Sequence, residues 1–181
     1  MAQTYTSKAT SINRDKLPAV YRKVSFRGRT VLDYGCGKYI EHIVKHLQSE
    51  CCASYLPYDP FNQPDKVNRN TIRFLDEAIH YPRGVWNFRP VIDVVCSNVF
   101  NVIDDDNVIR DIVSRIEEVV TISNGTAFIT VYEGDRSGVG RRTGKDQYQR
   151  NEPLKSYLRF FEECKAVSAR TYKGMIIVRR L

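Results

Sequence analysis

Residues 30–37 read TVLDYGCG, a short apolar and β-branched run that ends directly in two closely spaced glycines. Such a run predicts a buried strand followed by a tight turn. A helical pattern begins at once, because Ile40, Ile43, Val44 and Leu47 place four apolar side chains on one helix face. A strand, a glycine turn and a helix in this order predict an α/β fold with its ligand site at that turn.

The remaining sequence continues the alternation. Strand-like runs occupy residues 53–59, 90–98 and 126–133, helical patterns follow Asp104 and Pro153, and two final runs flank Lys173-Gly174. We therefore expect a three-layer, Rossmann-like, mostly parallel sheet with a C-terminal antiparallel hairpin. Between residues 61 and 90 the chain has three prolines and one short apolar stretch, TIRFL. We expect this region to be abbreviated or irregular, with TIRFL as at most a short strand.

The composition predicts one domain. The chain has 181 residues, of which 42% are hydrophobic and 27% charged, the balance of a single ordinary globular domain. We divide it into a basic N-terminal extension or helix over 1–29 and a single domain over 30–181.

No apolar run approaches the roughly 18 residues of a membrane span, and residues 1–16 do not resemble a secretory signal. We expect a cytoplasmic protein that does not contact a membrane.

The formal charge of +7 is concentrated in the first thirty residues and in a glycine-rich segment, 134–151, which we expect to be an exposed, mobile loop. Basic surfaces attract polyanions through counterion release, so DNA or RNA is the predicted partner of these two segments, although many basic domains bind no nucleic acid. The predicted substrate-binding residues are Arg136, Arg141, Arg142 and Lys145. Five cysteines without a Cys-x-x-Cys spacing predict no metal site.

A candidate ligand site combines the glycine turn with an acidic residue at the end of the second strand. Gly35 and Gly37 allow a ligand to approach the backbone closely, and Asp59 lies 22 residues beyond Gly37. A carboxylate at this distance suits a ribose, because it can accept hydrogen bonds from both hydroxyls. Asp33 could bind the same ligand or only stabilise its own turn.

Three segments, VLDYGCGKYI, YLPYDPF and DVVCSNVFNVID, resemble motifs of the class I S-adenosylmethionine-dependent methyltransferases, and the resemblance extends from Thr30 to the terminal hairpin. YDPF and SNVFNV are similar to segments of methyltransferase-like proteins from phages and DNA-modification gene clusters. The resemblance implies S-adenosylmethionine as cofactor, S-adenosylhomocysteine as product, and no metal. It implies that the cofactor is bound by Asp33, Gly35, Cys36, Gly37, Asp59, Pro60, Phe61, Asp76, Ser97, Asn98 and Val99.

The sequence departs from that family at two places that bear on chemistry. Lys38 and Tyr39 stand near the position of the third turn glycine. The tetrapeptide 97–100, Ser-Asn-Val-Phe, lacks the double proline of enzymes that methylate exocyclic amino groups of DNA. If a side chain accepts a proton, the candidates are Tyr132 and Glu133 at the end of a predicted strand, although such a pair can equally face solvent.

The sequence thus favours a methyltransferase acting on a nucleic acid or on a protein associated with one. The alternative is a non-catalytic protein that keeps the fold as a binding module for nucleic acid or a partner protein. A dinucleotide-dependent oxidoreductase also uses a glycine turn and a distant acid, but this chain has no room for the second nucleotide-binding half.

Overall fold

Strands and helices alternate along most of the chain in the computed structural model, which describes residues 17–38, 40–80, 90–144 and 147–181. The α-helices are α1 (Ala19–Lys23), α2 (Glu41–Ser49), α3 (Asp65–His80) and α4 (Asp106–Ser123). The strands are β1 (Thr30–Tyr34), β2 (Ser54–Tyr58), β3 (Ile92–Ser97), β4 (Thr126–Thr130), β5 (Arg141–Gly144), β6 (Gln147–Gln149), β7 (Val167–Tyr172) and β8 (Met175–Arg180). Two 3₁₀ helices span Phe100–Val102 and Leu154–Phe161.

A six-stranded sheet in the order β2-β1-β3-β4-β8-β7 forms the centre of the fold. The first four strands in this order are parallel, whereas β8 is antiparallel to β4 and β7 is antiparallel to β8. The chain reverses between β7 and β8 at Lys173 and Gly174, which both adopt positive φ angles. An α/β fold with a mostly parallel sheet and a C-terminal antiparallel hairpin is therefore confirmed.

The two faces of the sheet are covered by different helices. Alternate residues of a strand face opposite sides, so Leu32 packs in the cluster that contains α3 and α4, and Val31 packs in the cluster with α1 and α2. The second cluster includes Val20, Tyr21 and Phe26, which are almost fully buried. Part of the segment 17–29 thus packs against the sheet through these three side chains; residues 1–16 lie outside the described residues.

Helix α4 lies where the sequence predicts a helical pattern after Asp104. Its buried apolar face consists of Ile109, Ile112, Val113, Ile116, Val119 and Val120. The helix ends at Asn124, which adopts the left-handed conformation with φ 57° before Gly125. In the described ranges, no helix has both the length and the apolar character needed to cross a membrane.

Residues 61–80 are more regular than we expected from the sequence, and residues 81–89 of the region predicted to be irregular lie outside the described residues. TIRFL lies inside α3, so its interpretation as a strand was wrong. The helical spacing was obscured because the buried stripe contains two polar residues, Asn68 and Thr71. Thr71 Oγ1 donates to the carbonyl of Pro57 at 2.7 Å, and Asn68 bonds the backbone of Asp59. Within the described part of this region no strand follows β2, so β2 forms an edge of the sheet.

The glycine-rich segment 134–151 is also more ordered than predicted. Strands β5 and β6 pair as an antiparallel hairpin, with residues 145–146 outside the described ranges. At its base, Arg150 N donates to the Asn101 carbonyl at 2.9 Å, and Gln149 Nε2 donates to the Tyr132 carbonyl at 2.8 Å. The segment is therefore an exposed arm with a buried base that packs against the 3₁₀ helix Phe100–Val102.

Candidate ligand-binding site

A pocket of about 170 Å³ opens at the carboxyl ends of β1, β2 and β3. Strand β1 lies between β2 and β3, so consecutive connections leave it in opposite directions at this edge, which is where ligands bind in open α/β sheets. The pocket is lined by Tyr34, Gly35, Gly37, Asp59, Pro60, Phe61, Asn62, Ser97, Asn98, Val99, Val102, Ile103, Val108 and Ile112. Most of the residues predicted to contact a cofactor are therefore brought together here.

The glycine turn forms one side of the pocket. Gly35 and Gly37 adopt φ angles of 82° and 72°, a region that other residues enter at a cost in free energy. A Cβ atom on Gly35 would lie 2.3 Å from Val99 Cγ2, so the turn packs directly on the segment that follows β3. The amide groups of Gly35 and Cys36 both donate to the Tyr58 carbonyl, at 2.7 and 3.2 Å. Glycine is thus required at position 35 by both backbone conformation and space.

Asp59 organises the opposite side of the pocket. Its Oδ1 accepts from the amides of Phe61 and Asn62 at 2.9 Å, and its Oδ2 accepts from the Gly37 amide at 3.0 Å. The side-chain Nδ2 of Asn62 lies 3.1 Å from both oxygens. The backbone of Asp59 is itself held by Asn68 of α3. Asp59 therefore links the glycine turn to the loop after β2.

The apolar wall of the pocket was not predicted. It consists of Val102, Ile103, Val108 and Ile112, from the end of the first 3₁₀ helix and from α4. Val102 and Ile103 belong to the segment DVVCSNVFNVID but were not named as site residues, and Ile112 was assigned to helix packing, because an apolar side chain on a helix gives no sequence signal that distinguishes a pocket wall from the core. Tyr34 and Asn62 were also missed, although each directly neighbours a predicted site residue.

Asp33 lies outside this pocket. Its carboxylate Oδ2 accepts hydrogen bonds from Tyr21 of α1 at 2.7 Å and from Tyr55 of β2 at 2.9 Å, on the face of the sheet that packs against α1. Burial raises the pKa of Asp33 to about 6, the two hydroxyl groups oppose that rise, and the charge of Asp59 adds to it. The sequence left open whether Asp33 binds the ligand or stabilises the turn after β1, and the geometry favours stabilisation of the turn.

Two further predicted cofactor residues are also away from the pocket lining. Burial raises the pKa of the Cys36 thiol strongly, so this side chain stays protonated and is a poor nucleophile. Asp76 is exposed on α3, and this helix was not predicted from the sequence. Tyr39, named as a departure from the family pattern, lies outside the described residues, and Lys38 is exposed beside the turn.

The segment after β3 lines the pocket beside the end of β4. Ser97 Oγ lies 2.8 Å from Thr130 Oγ1 at the end of β4, and the Asn98 amide donates to the Thr130 carbonyl at 2.8 Å. Asn98 has a φ of 58°. A left-handed conformation is uncommon for a residue other than glycine, and such residues concentrate at functional sites. Ser97, Asn98 and Val99 all line the pocket.

The two catalytic candidates are near the end of β4 but do not line the pocket. Glu133 Oε1 accepts from the Leu154 amide at 2.6 Å, and its Oε2 pairs with Arg136 at 2.5 Å. These bonds lower the pKa of Glu133, with the amide making the larger contribution. Tyr132 is 60% exposed. The carboxylate of Glu133 is thus used to start the second 3₁₀ helix, which makes it a poor proton acceptor.

The predicted substrate-binding arginines lie on the β5–β6 arm. Arg136 and Arg141 are exposed, and each faces an acidic neighbour: Arg136 pairs with Glu133, and Arg141 Nη1 lies 4.0 Å from Asp135 Oδ2. Arg142 is exposed on β5, and Lys145 lies outside the described residues. Ion pairs this exposed are weak and are readily exchanged for other anions.

The sequence matches no protein-family model, and no curated protein aligns with it significantly.

Proposed function

We propose that this chain is an S-adenosylmethionine-dependent methyltransferase with a three-layer, Rossmann-like fold. The observation that carries the proposal is the position of Asp59, which follows β2 at the edge where β1 ends in the glycine turn. In nucleotide-binding sheets a carboxylate at this place binds a ribose diol, and the glycine turn admits the rest of the ligand.

The pocket residues fit such a cofactor by their chemistry. The wall formed by Val102, Ile103, Val108 and Ile112 suits the apolar faces of a purine, and Asp59 suits the ribose. When bound, S-adenosylmethionine supplies an activated methyl group. The residues of this chain would hold the acceptor in line with the methyl group, with Ser97 and Asn98 beside the acceptor. Such positioning provides a large part of the acceleration of methyl transfer.

A nucleic acid is the acceptor that we propose. The formal charge is +7, and the β5–β6 arm carries Arg136 and Arg141 at the same end of the sheet as the pocket. The arm is anchored to the 3₁₀ helix Phe100–Val102, whose last residue lines the pocket. Tyr132, at the base of the arm, offers an exposed ring for base stacking. A protein associated with nucleic acid would be attracted by this surface only through the nucleic acid itself.

Calorimetric titration with S-adenosylmethionine and S-adenosylhomocysteine tests the cofactor site. We expect micromolar binding, weakened at least about 10-fold by Asp59→Ala, because hydrogen bonds to a charged group contribute roughly 1.5–3 kcal/mol. Asp76→Ala, an exposed carboxylate on α3, is the matched control and should change nothing. Because Asp59 also bonds three backbone amides, the thermal unfolding of each variant is measured alongside.

A second candidate function is a binding module without catalysis. It is favoured by one observation: all the acceptor capacity of Asp59 is used within the chain. A folded sample that gives no heat with either ligand would support this candidate against the methyltransferase. Transfer of a labelled methyl group to DNA, RNA or protein would support the enzyme and identify its acceptor.

The salt dependence of nucleic-acid binding tests the arm. If Arg141 contacts a phosphate, Arg141→Ala should reduce the slope of log K against log salt concentration by about 0.9 for duplex DNA, or about 0.7 for a single strand. Arg73→Ala, which removes an exposed arginine from α3, should leave the slope unchanged. Equal slopes for all three proteins would exclude Arg141 from the interface.

A further inference from the structure

Asn62 occupies the place on Asp59 that a ribose would take. Its single amide nitrogen lies 3.1 Å from Oδ1 and 3.1 Å from Oδ2, so one NH₂ group spans both carboxylate oxygens. Two neighbouring hydroxyls of a ribose would donate to the same pair of oxygens. Asn62 and Asp59 both line the pocket, so this contact lies at the pocket surface.

The carboxylate cannot accept both partners. An ionised carboxylate offers about four acceptor positions. Oδ1 already accepts from the amides of Phe61 and Asn62, and Oδ2 accepts from the amide of Gly37. These three amides leave one position, on Oδ2, and the Nδ2 group of Asn62 takes it while also contacting Oδ1. A ribose hydroxyl can therefore reach this position on Asp59 only after the side chain of Asn62 has left.

The closed position of Asn62 leaves one of its own atoms unsatisfied. Its Oδ1 is buried, and no donor from the described residues reaches it. A buried acceptor without a partner is unfavourable. When the carboxamide rotates towards water, its oxygen gains a hydrogen bond and its nitrogen loses the two contacts with Asp59. The backbone of the loop does not need to move when the Asn62 side chain rotates, because Asp59 and Gln63 hold the loop to Gly37 on either side of Asn62.

The small size of the pocket agrees with the Asn62 side chain filling the place where a ribose diol would contact Asp59. Its volume of about 170 Å³ is below the roughly 300–1,000 Å³ that is typical of small-molecule sites. Rotation of Asn62 would enlarge the pocket at Asp59 without moving the apolar wall.

We propose that Asn62 sets the affinity of this pocket for ribose-containing ligands by competing with the ribose diol for Asp59. This inference rests on the proposed nucleoside-type cofactor. When only a fraction of molecules has the competent arrangement, the apparent dissociation constant is raised in inverse proportion to that fraction. Removing the competing side chain therefore tightens binding.

The test is calorimetric titration of the full chain and of Asn62→Ala with S-adenosylhomocysteine, adenosine and 2′,3′-dideoxyadenosine. We expect Asn62→Ala to bind the first two ligands about 10-fold more tightly and the dideoxy ligand with unchanged affinity, because that ligand does not compete for Asp59. Asn62→Ser, whose side chain is too short to span both oxygens, should behave likewise and serves if the alanine variant folds poorly. Asn70→Ala, an exposed asparagine on α3, is the matched control.

The outcomes separate this inference from the proposed function. Weaker or unchanged binding of S-adenosylhomocysteine by both Asn62 variants, with binding still dependent on Asp59, would overturn the inference and leave the cofactor site intact. Equal gains for adenosine and its dideoxy analogue would also overturn it, because the diol would not be the competing group. Absence of binding by every folded protein would overturn the proposed function, and the inference with it.

Discussion

Replacing Arg150 with methionine is expected to lower the free energy of unfolding by about 3 kcal/mol, the upper end of what hydrogen bonds to a charged group contribute. Arg150 is only 5% exposed. Its Nε donates to the Ile103 carbonyl, its Nη2 lies 2.7 Å from Asp106 Oδ1 as an ion pair, and its Nη1 lies 3.4 Å from Glu152 Oε1. Methionine preserves the aliphatic volume and removes all of these interactions.

The change should also affect the pocket. Ile103 lines its apolar wall, and Asp106 begins α4, which contributes Val108 and Ile112 to that wall. Arg150 therefore joins the arm to both parts of the wall. Arg150→Lys should recover only a fraction of the stability, because an ammonium group cannot reproduce the fork of donors in a guanidinium.

Urea unfolding of the three proteins measures these differences. The control is Arg73→Met, which removes a pair with Glu77 on the surface of α3, where the arginine side chain is 81% exposed. An exposed pair at this spacing contributes less than 1 kcal/mol. Loss of stability in Arg150→Met that is no larger than in Arg73→Met would show that the buried position does not matter.

Arg150 also illustrates where sequence reasoning stops. It was counted with the basic residues of a glycine-rich segment and was expected to face solvent, because neither glycine nor charge normally predicts burial. Its burial results from partners distant in sequence, Ile103 and Asp106, which only the folded chain brings together. Asn68 and Thr71 hid α3 for a similar reason, since they are polar residues on the buried face of a helix.

The parts that could be predicted depend on local patterns. β-branched runs identified the central strands, the apolar repeat of α4 identified its buried face, and Lys173-Gly174 identified the terminal hairpin. The glycine turn and Asp59 were predicted as parts of one site because spacing along a strand-turn-helix unit is set locally. The direction of Asp33 was available from the same logic: side chains alternate along a strand, so Asp33 and Tyr34 face opposite sides.

The second large effect is a pH dependence from Asp33. Its pKa is raised from about 3.9 in an unfolded chain to about 6 in the folded protein, because burial disfavours the charged form. Between these values the folded protein binds more protons than the unfolded chain, so stability falls as the pH rises. The contribution of Asp33 is favourable below about pH 4 and is lost by about pH 7, a change of roughly 3 kcal/mol.

Comparison with Asp33→Asn isolates this contribution from all other titrating groups. The amide keeps the shape of the carboxyl and an oxygen that accepts from Tyr21 and Tyr55, but it does not ionise. We expect the unfolding free energy of Asp33→Asn to rise by roughly 3 kcal/mol relative to the parent protein between pH 4 and pH 7. Asp76→Asn, at an exposed site on α3, should give a constant difference over the same range.

Tyr21→Phe refines the test, since the Tyr21 hydroxyl is the group that most opposes the rise in the pKa of Asp33. Its removal should move the loss of stability to higher pH, because less of the charged form is stabilised by hydrogen bonding. Parallel pH profiles for the parent protein and Asp33→Asn would contradict the assignment of a buried, largely unpaired charge. Helix α1, which supplies Tyr21, would then have no effect on the pKa of Asp33.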